Sequence, residues 1–558
     1  MSPDTARTPT AIDAIAEDWV DTLVDLDPTV GTYIGRTDGA DRYGDYSPAG
    51  LERHRLASLA TIARLDAAVV VDAVDEVTRT DLRSELALGI ESSDAGLPLR
   101  DLNNLASPAQ DIRAAFDLMP TDTVEDWRII STRLGAVPEA VAGYIETLRL
   151  GIRDGIMPAK RQVREVAVQA RRHAAKTGFF ATLAAEASPA TGSLPASLAT
   201  DLGAGARAAA AAYSGLAAFL GDELERSAPE ADAVGREIYA LQSRRFLGAA
   251  VDLDETYEWG IEELARMVAE QEGIARQILP GASVREAIAH LDADQSRTLH
   301  GTAALQRWMQ ETSDRAVAEL SVSHFDIPQE IRALECLIAP TQDGGVYYTG
   351  PSDDFSRPGR MWWSVPAGVT EFSTWRELST VYHEGVPGHH LQIGQAVHNR
   401  GILNTWRRQL AGTSGHAEGW ALYAERLMSE LGYLDDPADR LGMLDGQRMR
   451  AARVVIDIGV HLGKTLPDGS GPWTAEHAFD FFRRNANVDE STVQFEVNRY
   501  LGWPGQAPSY KIGQRIWEEL RDASKAKAGA AFSIKDFHRR ALDLGGVGLD
   551  TLRAALLS

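Results

Sequence analysis

The stretch Tyr257-EWGIEELARMVAEQEGIARQIL-Pro280 spaces its apolar residues three and four apart, the period of an amphipathic helix with one face on a core. The same period runs through Val234-GREIYALQSRRFL-Gly248 and, broken by short polar or Gly/Pro segments, from Ala11 to about Ala339. Alanine-rich Gly203-AGARAAAAAYSGLAAFL-Gly221 adds high helix propensity and side chains small enough for close packing. Ala187-SPATGSLPASLATD-Leu202 reads as a surface loop between helices, and no repeat of fixed period is found.

The period changes at Gly344-GVYYTGPSDDFSRPGRMWWSVP-Ala367, where two aromatic and β-branched runs flank a turn-rich segment. That predicts a β-hairpin with a long loop. Helical spacing returns at Thr374-WRELSTVYHE, with Thr374 and Glu377 at capping-box spacing, and continues to the C-terminus. Interruptions fall at Pro437, Pro467 to Pro472 and Gly502 to Pro508. The expected fold class is mainly α with a small sheet or hairpin. The expected organisation is one domain over 1–558, or two lobes of about 1–340 and 341–558.

Of the 558 residues, 44% are apolar and 24% charged, so a large core is affordable and global disorder is excluded. The formal net charge of −24 repels phosphate, which argues against nucleic acid and anionic membranes and for small molecules or short peptides as partners. A lone cysteine, Cys336, excludes an intrachain disulfide and a zinc site of several thiolates; its apolar flank, Leu334 to Ile338, predicts an inert buried thiol. The opening MSPDTARTPTAIDAIAEDWV lacks a basic segment followed by an apolar run, and the longest apolar stretches fall far short of the ~20 residues of a membrane span. A cytoplasmic address is the default expectation.

The densest group of metal-capable side chains is Tyr382-HEGVPGHHL-Gln392, with His383, Glu384, His389 and His390. In the zinc peptidase motif H-E-x-x-H, two histidines one turn apart share the ion and the glutamate takes the proton of the activated water. Here the second histidine position is Pro387. On a regular helix a residue six places on lies about 120° away, and one seven places on lies ~10 Å along the axis, too far for one ion. Gly385, Pro387 and Gly388 break or bulge helices, so two residues looped out after Glu384 would restore the geometry. His389 is preferred as second ligand, with His390 behind it. Ser414-GHAEGWALYAER-Leu427 offers a third ligand in Glu418, with His416 and Glu425 as competitors; Gly415 and Gly419 would let the helices approach closely.

Further along, Arg453, Asp457 and His461 sit four apart on one helix face. Either Asp457 or His461 supports the site, His461 bonding a tetrahedral intermediate, or the three form an ion-pair ladder. In Arg499-YLGWPGQAPS-Tyr510, a phenol from Tyr510, or from Tyr500, could face a developing oxyanion. Arg499 or Arg515 could grip a peptide's terminal carboxylate. The hairpin with Tyr347, Tyr348, Trp362 and Trp363 could offer an edge and aromatic walls to an extended peptide.

Four strings occur in a fixed order: HEGVPGHHLQ, EGWALYAE, RVVIDIGVH and RYLGWPGQAPSYKIG, preceded by FLGAAVDLDETYEWGIEEL at 246–264. In this the chain resembles the bacterial family catalogued as domain of unknown function 885, over nearly its whole length. That family's fold is similar to the carboxypeptidase Taq type of zinc metallocarboxypeptidase. The resemblance implies a long helical body with a deep central groove, one zinc per chain held by His383, His389 and Glu418, and Glu384 as base. The function so implied is zinc-dependent hydrolysis of peptide or related amide bonds. Two alternatives stand beside it: a non-catalytic groove-binding protein, and a metal-dependent hydrolase of a small metabolite amide or ester.

Overall fold

The computed structural model describes residues 7–340 and 345–558. Residues 1–6, part of the stretch read for a leader, and 341–344, which include the first residue of the hairpin segment, lie outside. Among the described residues the chain is mainly α, with five short strands in two small sheets. None of the described helices is long and apolar enough to cross a membrane.

The alanine-rich segment forms a helix, Ala196–Phe219, lying along a long helix Val124–Asp154. Ala206 and Ala209 are buried between them, and a Cβ on Gly205 would sit 2.9 Å from that of Leu134. Small side chains thus allow the close approach expected. The helix begins at Ala196, so the segment read as a loop is one only up to Pro195.

Helices used below are labelled in chain order. Helix α1 is Ala73–Asp94 and α2 is Leu253–Ile278, the stretch whose period was decisive. Asp252 caps α2, its carboxylate accepting the N–H groups of Asp254 and Glu255. The apolar face of α2 buries Leu264, Met267 and Ile274, each contributing roughly 1.5–3 kcal/mol. Strands β1 (Thr298–His300) and β5 (Glu371–Ser373) pair antiparallel; β2 (Leu334–Ile338), β3 (Val346–Thr349) and β4 (Gly359–Trp363) form the other sheet, in the order β2-β4-β3.

The hairpin expected from sequence is the β3–β4 pair, with Tyr348 opposite Met361. Strand β2, parallel to β4, falls where helical spacing was read to about Ala339. There Leu334 and Cys336 point into a core with Met361 and Trp363, and Glu335 between them pairs with Arg360 at 2.7 Å. The Cys336 thiol is buried 3.5 Å from Ser313 Oγ, and burial pushes it up to about 11, so it is unreactive as expected.

The remaining helices are α3 (Thr374–Glu384), α4 (His389–His398), α5 (Ser414–Glu430), α6 (Pro437–Leu462), α7 (Glu490–Gly502) and α8 (Ser509–Ala528). No capping box starts α3: the Thr374 hydroxyl donates to the Arg297 carbonyl at 3.1 Å, and Glu377, half-buried, is pushed up to about 7 by burial. Every residue of α6 from Ala451 to His461 is buried, so this helix is the axis on which α2, α3 and α8 pack.

Candidate metal centre

Between α3 and α4 the residues Gly385 to Gly388 turn the chain. A Cβ on Gly388 would sit 1.9 Å from the His383 carbonyl oxygen, and one on Gly385 would sit 2.6 Å from that of Val381, so both positions demand glycine. Trp420 Nε1, from α5, donates to the Pro387 carbonyl at 2.9 Å and pins the turn. The turn brings the His383 and His389 rings edge to face, centroids 4.8 Å apart. Ligand atoms of His383, Glu384 and His389 all lie within 4.8 Å of one another.

From α5, Glu418 Oε2 lies 3.3 Å from His383 Nε2 and 3.6 Å from His389 Nε2. That oxygen is buried and has no hydrogen-bond partner. Its neighbour on the same helix, Glu425, lies on the far side of His383 and accepts from Nδ1 at 2.8 Å. A chain of buried groups continues: Gln447 Nε2 donates to Glu425 at 2.9 Å, Lys511 Nζ donates to Gln447 at 2.7 Å, and Lys511 pairs with Glu263 at 3.0 Å. Glu425 therefore fixes the ring and leaves Nε2 aimed at Glu418, the usual arrangement behind a metal-binding histidine. Burial works against a charged His383, but Glu418 and Glu425 outweigh it and lift the imidazole to about 10. Burial raises Glu384, with Glu418 adding to the rise and both histidines opposing it.

His390 does not face this cluster. Its Nε2 donates to the Ile331 carbonyl at 2.6 Å, its Nδ1 accepts from the Tyr348 hydroxyl at 2.9 Å, and burial lowers it to about 4. Tyr348 thereby joins the sheet to α4. His416 is likewise outside, near Gln392 Nε2 at 3.3 Å and lowered to about 3 by burial.

Gly415 and Gly419 do permit a close helix approach, but to α8. A Cβ on Gly513 would lie 2.1 Å from the Gly415 carbonyl oxygen, and one on Gly419 would lie 2.4 Å from the Gly513 carbonyl carbon. This crossing sets Tyr510 at the start of α8 beside the cluster. Burial and then the Glu418 charge raise its phenol to about 12, against the pull of Arg499, Arg453 and Arg450. The Arg453 guanidinium lies 5.2 Å from the Tyr510 ring centre.

Several expected site residues are engaged with one another instead. Arg499 binds Glu496 at 3.0 Å and Gln506 at 2.8 Å, and Arg453 binds Glu496 at 2.7 Å. Tyr500 is fully buried, donates to Glu496 and accepts from Arg453 Nε at 2.8 Å. His461 Nε2 donates to the Tyr500 carbonyl at 2.9 Å, and burial lowers the ring to about 4. Asp457 accepts the Gly505 N–H at 2.9 Å, so Arg453, Asp457 and His461 form neither a ladder nor a support for a metal ligand. Arg515 pairs on the surface with Glu255 at 2.7 Å and Glu519 at 2.9 Å.

Sequence reading missed Arg450. Its charge acts on Glu384, Glu425 and Tyr510, and its Nε is buried without a hydrogen-bond partner. The available signal was its spacing of three from Gln447 and from Arg453 on α6, one helix face.

The chain is similar along its length to two solved structures. A candidate lipoprotein from Colwellia psychrerythraea superposes with a TM-score of 0.85 at 23% identity, covering 98% of both chains. A candidate lipoprotein of unknown function from Shewanella oneidensis gives 0.75 at 16% identity, covering 98% of this chain and 100% of that one. These likenesses establish the fold. Likeness to the Pyrococcus furiosus carboxypeptidase, TM-score 0.34 at 12% identity over 90% of this chain and 94% of that one, is too low to carry an argument. No curated protein matches the chain in sequence. The family of bacterial proteins of unknown function DUF885 matches residues 28–556, and this chain belongs to it.

Proposed function

We propose that the chain is a zinc-dependent hydrolase of peptide or related amide bonds in short peptides. The observation that carries this reading is the buried Glu418 Oε2 facing two imidazole nitrogens at 3.3 and 3.6 Å. Two histidines with one glutamate are the donor set of a catalytic zinc site. His383, His389 and Glu418 would hold the ion. Zinc in such a site supplies Lewis acidity toward a carbonyl and eases deprotonation of water. Glu384, adjacent in sequence and space, takes the proton of the attacking water and returns it to the leaving amine. Tyr510 donates its hydroxyl to the oxyanion, and Arg450 takes over from Arg499 and Arg515 as the cation suited to a terminal carboxylate. The cytoplasmic address belongs to the same proposal; the two structural relatives are described as lipoproteins, and cell fractionation decides for this chain.

Metal analysis of the purified chain by mass spectrometry tests the reading. We expect about one zinc per chain. Substituting Glu384→Gln should keep the zinc and lower turnover of a short-peptide pool by ~10²–10⁴. A chain without stoichiometric metal would overturn the hydrolase and leave the groove-binding reading.

A further inference from the structure

Away from the metal cluster the chain forms a partly open cavity of about 940 Å³ between α1 and the segments around Arg100, Arg245 and Trp503. None of His383, Glu384, His389 or Glu418 lines it. Its charged walls are of two kinds. Arg55, Arg83 and Arg244 are matched, to Asp94 at 2.8 Å, Asp66 at 2.7 Å and Glu91 at 2.5 Å. Glu85, Asp101, Arg100 and Arg245 also line the cavity, and none of the four makes an ion pair among the described residues.

Asp101 and Arg100 are partly buried and carry a desolvation cost, whereas Glu85 and Arg245 are exposed to the cavity. Burial, and then the Asp81 charge, pushes Glu85 up to about 8 although Arg245 opposes the shift; burial raises Asp101 to about 6. Burial alone lowers Arg100. Glu85 is open to the cavity's interior, yet walled by protein, which is why its carboxyl behaves as a buried one. A cavity of this size takes ligands of several hundred daltons, and one lined by three acids outside any ion pair, Asp81, Glu85 and Asp101, and by two such guanidiniums is complementary to a ligand bearing both signs.

We propose that this cavity binds a short zwitterionic peptide, its ammonium end at Glu85 and Asp101 and its carboxylate end at Arg100 and Arg245. The site is distinct from the metal cluster and does not depend on the hydrolase reading. It nonetheless touches that cluster's supports: the walls include Thr413, whose side chain caps α5, and Trp503 and Pro504 in the loop leading to Tyr510. An occupant therefore contacts both segments that position Glu418 and Tyr510.

The test is calorimetric titration of the full chain carrying Glu384→Gln, which guards the probe from turnover, with tetra-alanine, its N-acetyl form and its C-terminal amide. Uncapped tetra-alanine should bind saturably, and either cap should weaken binding about tenfold or more, as expected for loss of one charge-assisted contact. In Glu85→Gln with Asp101→Asn the penalty for acetylation should disappear; in Arg100→Gln with Arg245→Gln the penalty for amidation should disappear. The three probes on the parent chain decide the matter even if a variant fails to fold. Absence of saturable binding, or equal binding of all three probes, overturns the proposal. So does binding that His383→Ala abolishes while the cavity variants leave it unchanged, since the peptide would then sit at the metal cluster.

Discussion

Gly513→Ala tests whether the α5–α8 crossing builds the site. The added Cβ would lie 2.1 Å from the Gly415 carbonyl oxygen, where real Cβ contacts essentially never fall below 3.0 Å, so the two helices must part by roughly 1 Å. Two effects oppose each other. Replacing glycine within a helix gains about 1 kcal/mol of propensity, whereas overpacking costs ~1–3 kcal/mol and lies at the upper end when the obstacle is backbone. We expect a net loss of about 1–2 kcal/mol in denaturant unfolding. A shift of ~1 Å between Glu418 and Tyr510 should also lower kcat by about 10², with zinc retained because the candidate ligands His383, His389 and Glu418 lie on α3, α4 and α5, and none of them on α8. The reasoning is refuted if the variant gains stability, since propensity alone would then be acting and the helices could not be in backbone contact.

His389→Ala should lose zinc while His390→Ala keeps it and loses only stability, because both His390 nitrogens are already bonded to Ile331 and Tyr348; metal content of the two variants checks this, and a reversal would move the ligand. Tyr510→Phe should lower kcat by ~10²–10³ with little change in melting temperature, whereas a lower melting temperature at full kcat would make Tyr510 a core residue. Burial disfavours a charged Glu496, but Arg453 and Arg499 hold its carboxyl at about 2, below its unfolded value. Its contribution, about 3 kcal/mol, is therefore present at neutral pH and lost as pH falls from about 4.5 to 2. Glu496→Gln should flatten stability over that window, and an unchanged acid limb in pH-dependent unfolding would contradict it.

Much of the fold was legible because helical spacing persists over long runs, as in α2. Strand β2 was not: five residues, Leu-Glu-Cys-Leu-Ile, are too few to separate a strand from a helix by period. The helix break was legible because Gly385, Pro387 and Gly388 are local signals. What eluded reading was set by tertiary neighbours. Arg453, Asp457 and His461 do stack on α6, yet Glu496, the Gly505 amide and the Tyr500 carbonyl win them. Gly415 and Gly419 signalled a close approach without naming its partner, α8. Arg450 carries no motif, and only packing shows that its charge faces α3 and α5; Lys511 lies in the quoted string RYLGWPGQAPSYKIG, but only packing shows that it faces Gln447 on α6 and Glu263 on α2.

The break between α3 and α4 also changes when the histidines can meet. With H-E-x-x-H, one helical turn presents both imidazoles, so even a short fragment is partly preorganised. Here they belong to separate helices of 11 and 10 residues, each shorter than the ~12–15 that hold helical form alone in water. The turn between them is held by Trp420 from another part of the chain. A peptide spanning 374–398 should therefore show little of the intact protein's affinity for zinc, and acquisition of metal during refolding should track tertiary assembly rather than helix formation.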